Sequence, residues 1–189
     1  VTTMRDLIRI VESGGGIVPD MPYPFLYHAT RKANLPSIRQ NGLLTRHYGA
    51  VHGGMDIHPP KPAIYLARGR SSNNLHTSLF DGTPLVVLKI DATKLDPNEM
   101  WPDDAIYTAF ANEEVFTTAR QVAQAFGLDL PQAKELLERL ENASEDELPL
   151  LLKPCWRWYL SWKRGGEVAY TADIPPSAIV GVRDLSPKN

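Results

Sequence analysis

The chain has 189 residues, a formal net charge of −2, 43% hydrophobic residues and 22% charged residues. This is enough for one domain with its own core and an ordinary balance for a globular protein. No apolar run approaches the roughly 20 residues of a membrane helix, the single cysteine excludes an internal disulfide, and the near-neutral charge excludes general attraction to polyanions.

The pattern predicts a helix over residues 3–13, with Leu7, Ile8 and Val11 on one face and Gly14-Gly15-Gly16 as its stop. The stretch MRDLIRIVESGGG is amphipathic and carries acids, so no signal peptide is expected. With one cysteine, a reducing, cytoplasmic setting is expected. Residues 17–24 hold three prolines and read as a loop. Phe25–Tyr27 begins a strand in the run FLYHAT. It precedes a short helix in NLPSIRQNGLL, with Asn34 as N-cap, Pro36 in the first turn and Gly42 as stop. Leu35 and Ile38 face inward. Residues 45–62 form a long loop, Ile64–Ala67 a short strand, and Ser71–Asp81 a polar loop with a helical turn.

LVVLKI at Leu85–Ile90 is the strongest strand. A helix is predicted over 113–127, ended by Gly127. Another follows Pro131, with Leu136, Leu137 and Leu140 on one stripe, and Glu145–Glu147 reads as an acidic loop. In WRWYLSW, residues 156–162, tryptophans alternate with polar residues, which predicts a half-buried strand. Gly165-Gly166 is a turn, Glu167–Thr171 a strand, and Ile179–Val182 a last strand after IPPSA. The expected architecture is α+β: one domain spanning 1–189, with a helical insertion at about 113–148.

Charge is unevenly distributed. Residues 31–70 hold seven Lys/Arg against one acid, and residues 91–150 hold fourteen Asp/Glu against four Lys/Arg. Each half can be a solvated face; the basic half can also meet an anionic ligand. Lys153, Arg157, Lys163 and Arg164, interleaved with tryptophans, suit a nucleic-acid strand, although strict alternation favours the tryptophans as core. His28, His47, His52, His58 and His76 match no zinc spacing, so no metal is expected. Cys155 reads as a small buried hydrophobe rather than a nucleophile. No nucleotide-binding glycine loop or nucleophile elbow is present.

Three features together resemble one family. LYHAT followed by NLPSIRQNGLL, then AIYLA carrying Tyr65, then RGGEVAYTADIPPSAIVGV carrying Glu167, look like the His-Tyr-Glu triad of the ADP-ribosyltransferase superfamily. Within it, they are closest to the DarT-type DNA-modifying toxins and more distantly similar to the RNA 2′-phosphotransferases. The resemblance spans roughly residues 25–182. It implies a split β-sheet core, NAD as co-substrate, and transfer of ADP-ribose to a macromolecule, with nucleic acid ahead of protein. For a toxin it also implies an antitoxin protein as partner; no membrane is involved. An RNA 2′-phosphotransferase and a non-catalytic module that binds NAD or ADP-ribose are the alternatives.

The resemblance implies catalytic roles for Glu167, His28 and Tyr65. Breaking the nicotinamide–ribose bond gives an oxocarbenium-like transition state, as glycoside cleavage does. Glu167 would stabilise that charge and take a hydrogen bond from the ribose; the alternative is an exposed glutamate at a strand end. His28 would bind ribose through an imidazole nitrogen; the alternative is a core histidine bonded to a backbone carbonyl. Ala29 would hold the carboxamide through its backbone and Thr30 would add a hydroxyl. Tyr65 would stack on nicotinamide, or belong to the core. Arg46, Arg68 and Arg70 are candidates for the pyrophosphate, and Arg46 and Arg68 for the arginine that DarT-type proteins use in catalysis. Two departures matter. MRDLIRIVES lacks the Arg-His motif of the phosphotransferases. Gly165 stands two residues before Glu167, where arginine-directed transferases carry a second Gln or Glu.

Overall fold

A computed structural model describes residues 21, 23–47, 59–69, 83–157, 162 and 167–185. The expected helix at 3–13, the loop at 71–81, the Gly165-Gly166 turn, and Arg70, His52, His58 and His76 lie outside them.

The described residues form a mixed α+β fold around one antiparallel sheet. Strand β1 is Phe25–Arg31, followed by helix α1 at Leu35–Asn41; β2 is Ile64–Ala67, β3 Leu85–Asp91 and β4 Met100–Pro102. Helices α2 (Asp104–Ala111), α3 (Ala119–Phe126), α4 (Leu130–Glu141) and α5 (Glu147–Leu152) come next, then β5 (Glu167–Tyr170) and β6 (Ile179–Asp184). The strand order is β4-β5-β2-β1-β3-β6.

Alternation along the strands divides their side chains between two faces. Leu26, Ile64, Leu66, Val86, Leu88, Ile90, Val168 and Tyr170 form the main core, closed by Ile38, Leu43, Trp156 and Trp162. The other face carries small clusters built from Ala67, Val87, Tyr27 and Ala29, and from Ala63, Tyr65, Trp101 and Ala169.

The first strand is longer than expected. It runs through His28 and Thr30 to Arg31, in register with β3 from Phe25–Asp91 to Arg31–Leu85. His28 is therefore mid-strand, not at a tip. Asn34 does not cap α1 with its side chain; its amide donates instead to Thr30 Oγ1 at 3.1 Å. Gly42 does end the helix, at φ +78°.

The expected helix at 113–127 begins only at Ala119. Glu113 and Phe116 take positive φ values, 55° and 59°, which interrupt any helix there. Thr118 and Gln121 then form a capping box, and Gly127 closes α3 in the left-handed region. A second capping box, Asp129 with Gln132, starts α4. Helices α2 and α5 and strand β4 were not anticipated. Residues 145–146 do form a turn, but Glu147 opens α5. The helices bury their own core, including Ile106, Val122, Ala125, Ala133, Leu140 and Leu152.

WRWYLSW does not begin as a strand. Lys153–Arg157 is a 3₁₀ turn packed along β4. It turns Cys155 into the helical core and Trp156 into the sheet core. Trp162 is also buried, so the described tryptophans of this stretch are core residues. Lys153 bonds the Asn98 carbonyl and lies over the Trp101 ring; Arg157 lies over Trp156. These two cations brace the packing; Trp158, Lys163 and Arg164, the rest of the basic aromatic stretch, lie outside the described residues. Among the described residues no helix is long and apolar enough to cross a membrane.

Candidate functional site

The centre of the sheet is a seam. Strands β1 and β3 pair over seven residues and β2 and β5 over four, but β1 and β2 meet only at Tyr27–Ala67. The β2–β1 junction is thus the most sparsely paired point of the six-stranded sheet. Ala67 also pairs with Glu167, so Tyr27, Ala67 and Glu167 form one lateral row. At about 4.8 Å per strand, the backbones of Tyr27 and Glu167 are about 10 Å apart. Members of a row share a face, and Tyr65, two residues before Ala67, shares it too.

Glu167 is 8% exposed. That excludes an exposed glutamate at a strand end. A carboxylate this buried is costly to keep unless it is partnered or used.

His28 follows Tyr27 and alternates to the other face, but its ring reaches into the seam. Nδ1 lies 2.9 Å from the Tyr65 carbonyl oxygen. A carbonyl only accepts, so Nδ1 carries the proton and Nε2 is the acceptor nitrogen. Burial lowers the imidazole's pKa from its ordinary 6.5, against a smaller opposing effect of the Tyr65 bond. The ring is therefore neutral at physiological pH. The bond to a carbonyl is the one expected of a core histidine; here it also fixes which nitrogen can receive a hydroxyl proton.

Thr30 lies on the same face as His28, two residues on. With Asn34, Ser37, Leu43, Leu44 and His47 it lines a cavity of about 160 Å³ between β1 and α1. Hydroxyls and an amide converge there on apolar walls, the usual make-up of a small-molecule site. Its size suits part of a dinucleotide rather than the whole. Ala29 is half-buried and pairs with Val87. Tyr65 is half-buried beside Trp101, so its ring is partly committed to packing.

Arg46 is exposed in the 3₁₀ turn Thr45–His47, on the cavity side. Arg68 is exposed directly after Ala67, the partner of Glu167. The two arginines thus flank different ends of the site: Arg46 the cavity, Arg68 the carboxylate. Burial pushes the Cys155 thiol well above its ordinary pKa, which removes it as a nucleophile. Among the described residues no cluster of His, Cys, Asp or Glu has the form of a metal site.

The double-proline segment has a role that sequence reasoning missed. Leu43 and Ile174 exchange two backbone hydrogen bonds, each 2.9 Å. Asp173 Oδ1 accepts from the Thr45 backbone N–H at 2.7 Å and from its hydroxyl at 2.9 Å. A side chain at Gly42 would place Cβ 2.0 Å from the Ile174 oxygen, so only glycine permits the approach. This staple fixes the cavity wall to the segment that leaves β5, the strand carrying Glu167. The clue was a glycine after a helix and an Asp-Ile-Pro-Pro run far along the chain, neither informative alone.

No family model matches the sequence, and no curated protein matches it.

Proposed function

We propose that this chain is an NAD-dependent ADP-ribosyltransferase with an ADP-ribosyltransferase-like split-sheet core, acting on a macromolecular acceptor, nucleic acid ahead of protein. The observation that carries the reading is a buried carboxylate on β5 and a neutral imidazole on β1, either side of β2, whose pairing to β1 is a single register position. The cavity beside α1 lies on the His28 face and Glu167 on the other, so a ligand that reaches both lies along the seam.

In this reading the adenosine half occupies the cavity, where Thr30, Asn34 and Ser37 supply polar contacts. His28 Nε2 accepts a hydrogen bond from a ribose hydroxyl. Tyr65 offers its accessible face to the nicotinamide, and the backbone at Ala29 holds the carboxamide. Arg46 or Arg68 neutralises the pyrophosphate. Glu167 accepts a hydrogen bond from the nicotinamide-side ribose and stabilises positive charge on the sugar as the bond from C1′ to the nicotinamide nitrogen breaks. The bonding pair leaves with neutral nicotinamide. An acceptor lone pair then bonds to C1′, and the acceptor's proton passes to a base. The buried setting of Glu167 strengthens its interaction with the developing cation.

The test is incubation with biotinylated NAD and a mixed set of DNA, RNA and protein acceptors. Label on one acceptor class, lost in Glu167→Ala, is expected. Toxicity to an expression host, relieved by the same substitution, accompanies it if the acceptor is essential. Label on none of the three, with no nicotinamide released, overturns the reading.

A further inference from the structure

The lateral row through Glu167 does not stop at Tyr27. Tyr27 pairs with Lys89 of β3, and Lys89 pairs with Gly181 of β6. Gly181, Lys89, Tyr27, Ala67 and Glu167 therefore form one line across five strands and share a face. Val87 and Arg183 pair in the next row of that face. Lys89, Arg183, Tyr27 and Gly181 line a shallow basin of about 440 Å³. Gly181 keeps its floor open, since a Cβ there would stand 3.3 Å from the Lys89 Cβ. Asp184, also at the rim, is ion-paired with Lys32, which leaves the basin's charge to Lys89 and Arg183. Lys89 holds its ammonium 3.6 Å over the Phe25 ring, and that contact keeps the cation on this face.

We propose that this basin is the acceptor-docking surface, and that its occupant is a single strand of nucleic acid whose phosphates meet Lys89 and Arg183 and whose bases pass over Tyr27 toward Glu167. The inference rests on the transferase reading for its direction, not for its residues. From Lys89 to Glu167 is three strand spacings, about 14 Å, or about four nucleotides at a stacked rise of ~3.4 Å. Two cations on β3 and β6, beside an aromatic ring on β1, match a polymer with regularly spaced phosphates and planar bases. An acidic peptide would use the cations but not the ring.

The position also fits the charge of the whole chain. The helices, within the acid-rich stretch 91–150, return to the sheet through Lys153–Arg157 along β4, one edge of the sheet. The basin is at β3 and β6, the opposite edge. The two cations are thus at the edge of the sheet remote from the acidic helices.

The experiment compares the full chain with the double variants Lys89→Gln/Arg183→Gln and Lys89→Glu/Arg183→Glu. Both sites are half-buried or exposed, and melting temperature checks the fold of each. Binding of a fluorescent 12-nucleotide single strand is measured over a range of salt, and nicotinamide release from NAD is measured without acceptor. At least a tenfold loss of oligonucleotide affinity is expected. The slope of log K against log salt falls by about 1.4 as two phosphate contacts go, and nicotinamide release stays within twofold. Unchanged affinity or slope in folded variants overturns the proposal. So does a poly-glutamate chain of equal charge that binds as well and loses as much. Oligonucleotide binding through these residues in a protein that releases no nicotinamide would defeat the transferase reading and leave the surface standing.

Discussion

The neutral state of His28 has a measurable consequence. Folding holds its pKa below the ordinary 6.5, with burial as the main cause. Between the two values the unfolded chain binds a proton that the folded chain does not, so stability rises with pH in that range. The contribution is whole above about pH 6.5 and is lost as the pH falls toward the folded value. Thermal melts from pH 8 to pH 5 are expected to show a fall in melting temperature that flattens in His28→Gln. An equal fall in the variant would mean that other groups set the slope. Nicotinamide release should fall in the same acid range, because a protonated Nε2 donates where the ribose hydroxyl needs an acceptor. Glu167 is a buried carboxylate and Glu167→Gln keeps its shape, so nicotinamide release is expected to fall in a variant whose melting temperature checks its fold.

At the scale of elements, long-range bonds rather than local sequence tie the segments that follow β1 and β5, two of the three strands that carry the catalytic candidates. The bridge Leu43–Ile174 and the two bonds from Thr45 to Asp173 tie the end of α1 to the exit of β5. Asp173→Ala removes the side-chain pair at an exposed site. We expect a cost of about 1 kcal/mol in stability and a several-fold rise in KM for NAD with kcat little changed. A purely structural role would lower the melting temperature and leave KM alone. Strands were readable where they are apolar and regular: Ile64–Ala67 and LVVLKI lie where their composition puts them. Elements set by contacts were not. Strand β4 is three residues ending in proline, tolerated at a sheet edge but invisible as a pattern. Helix α3 starts late because Glu113 and Phe116 adopt left-handed backbone, which no period reveals. The alternating tryptophans at 156–162 mimic a strand, yet Cys155 and Trp156 serve two different cores from a single 3₁₀ turn.

At the scale of the molecule, the order β4-β5-β2-β1-β3-β6 brings residues 28, 65 and 167 onto neighbouring strands although 139 positions separate the first and last in sequence. The resemblance supplied the three residue types and their chain order. It could not supply the lateral row, because register belongs to the fold. The same order puts the acidic helices at one edge and Lys89 and Arg183 near the other. Replacing Glu135, Glu138 and Glu141, exposed on α4, with Gln should therefore leave both nicotinamide release and oligonucleotide binding within twofold. A larger change would place those helices in the acceptor path. The most direct measurement of the whole account is release of nicotinamide from NAD by the native chain and by Glu167→Gln, read beside the affinity of each for NAD. The account predicts slow turnover by the native chain and a loss of about 10²-fold or more in the variant, with affinity changed only a few-fold. Equal turnover by both proteins, or no NAD bound by either, would contradict it.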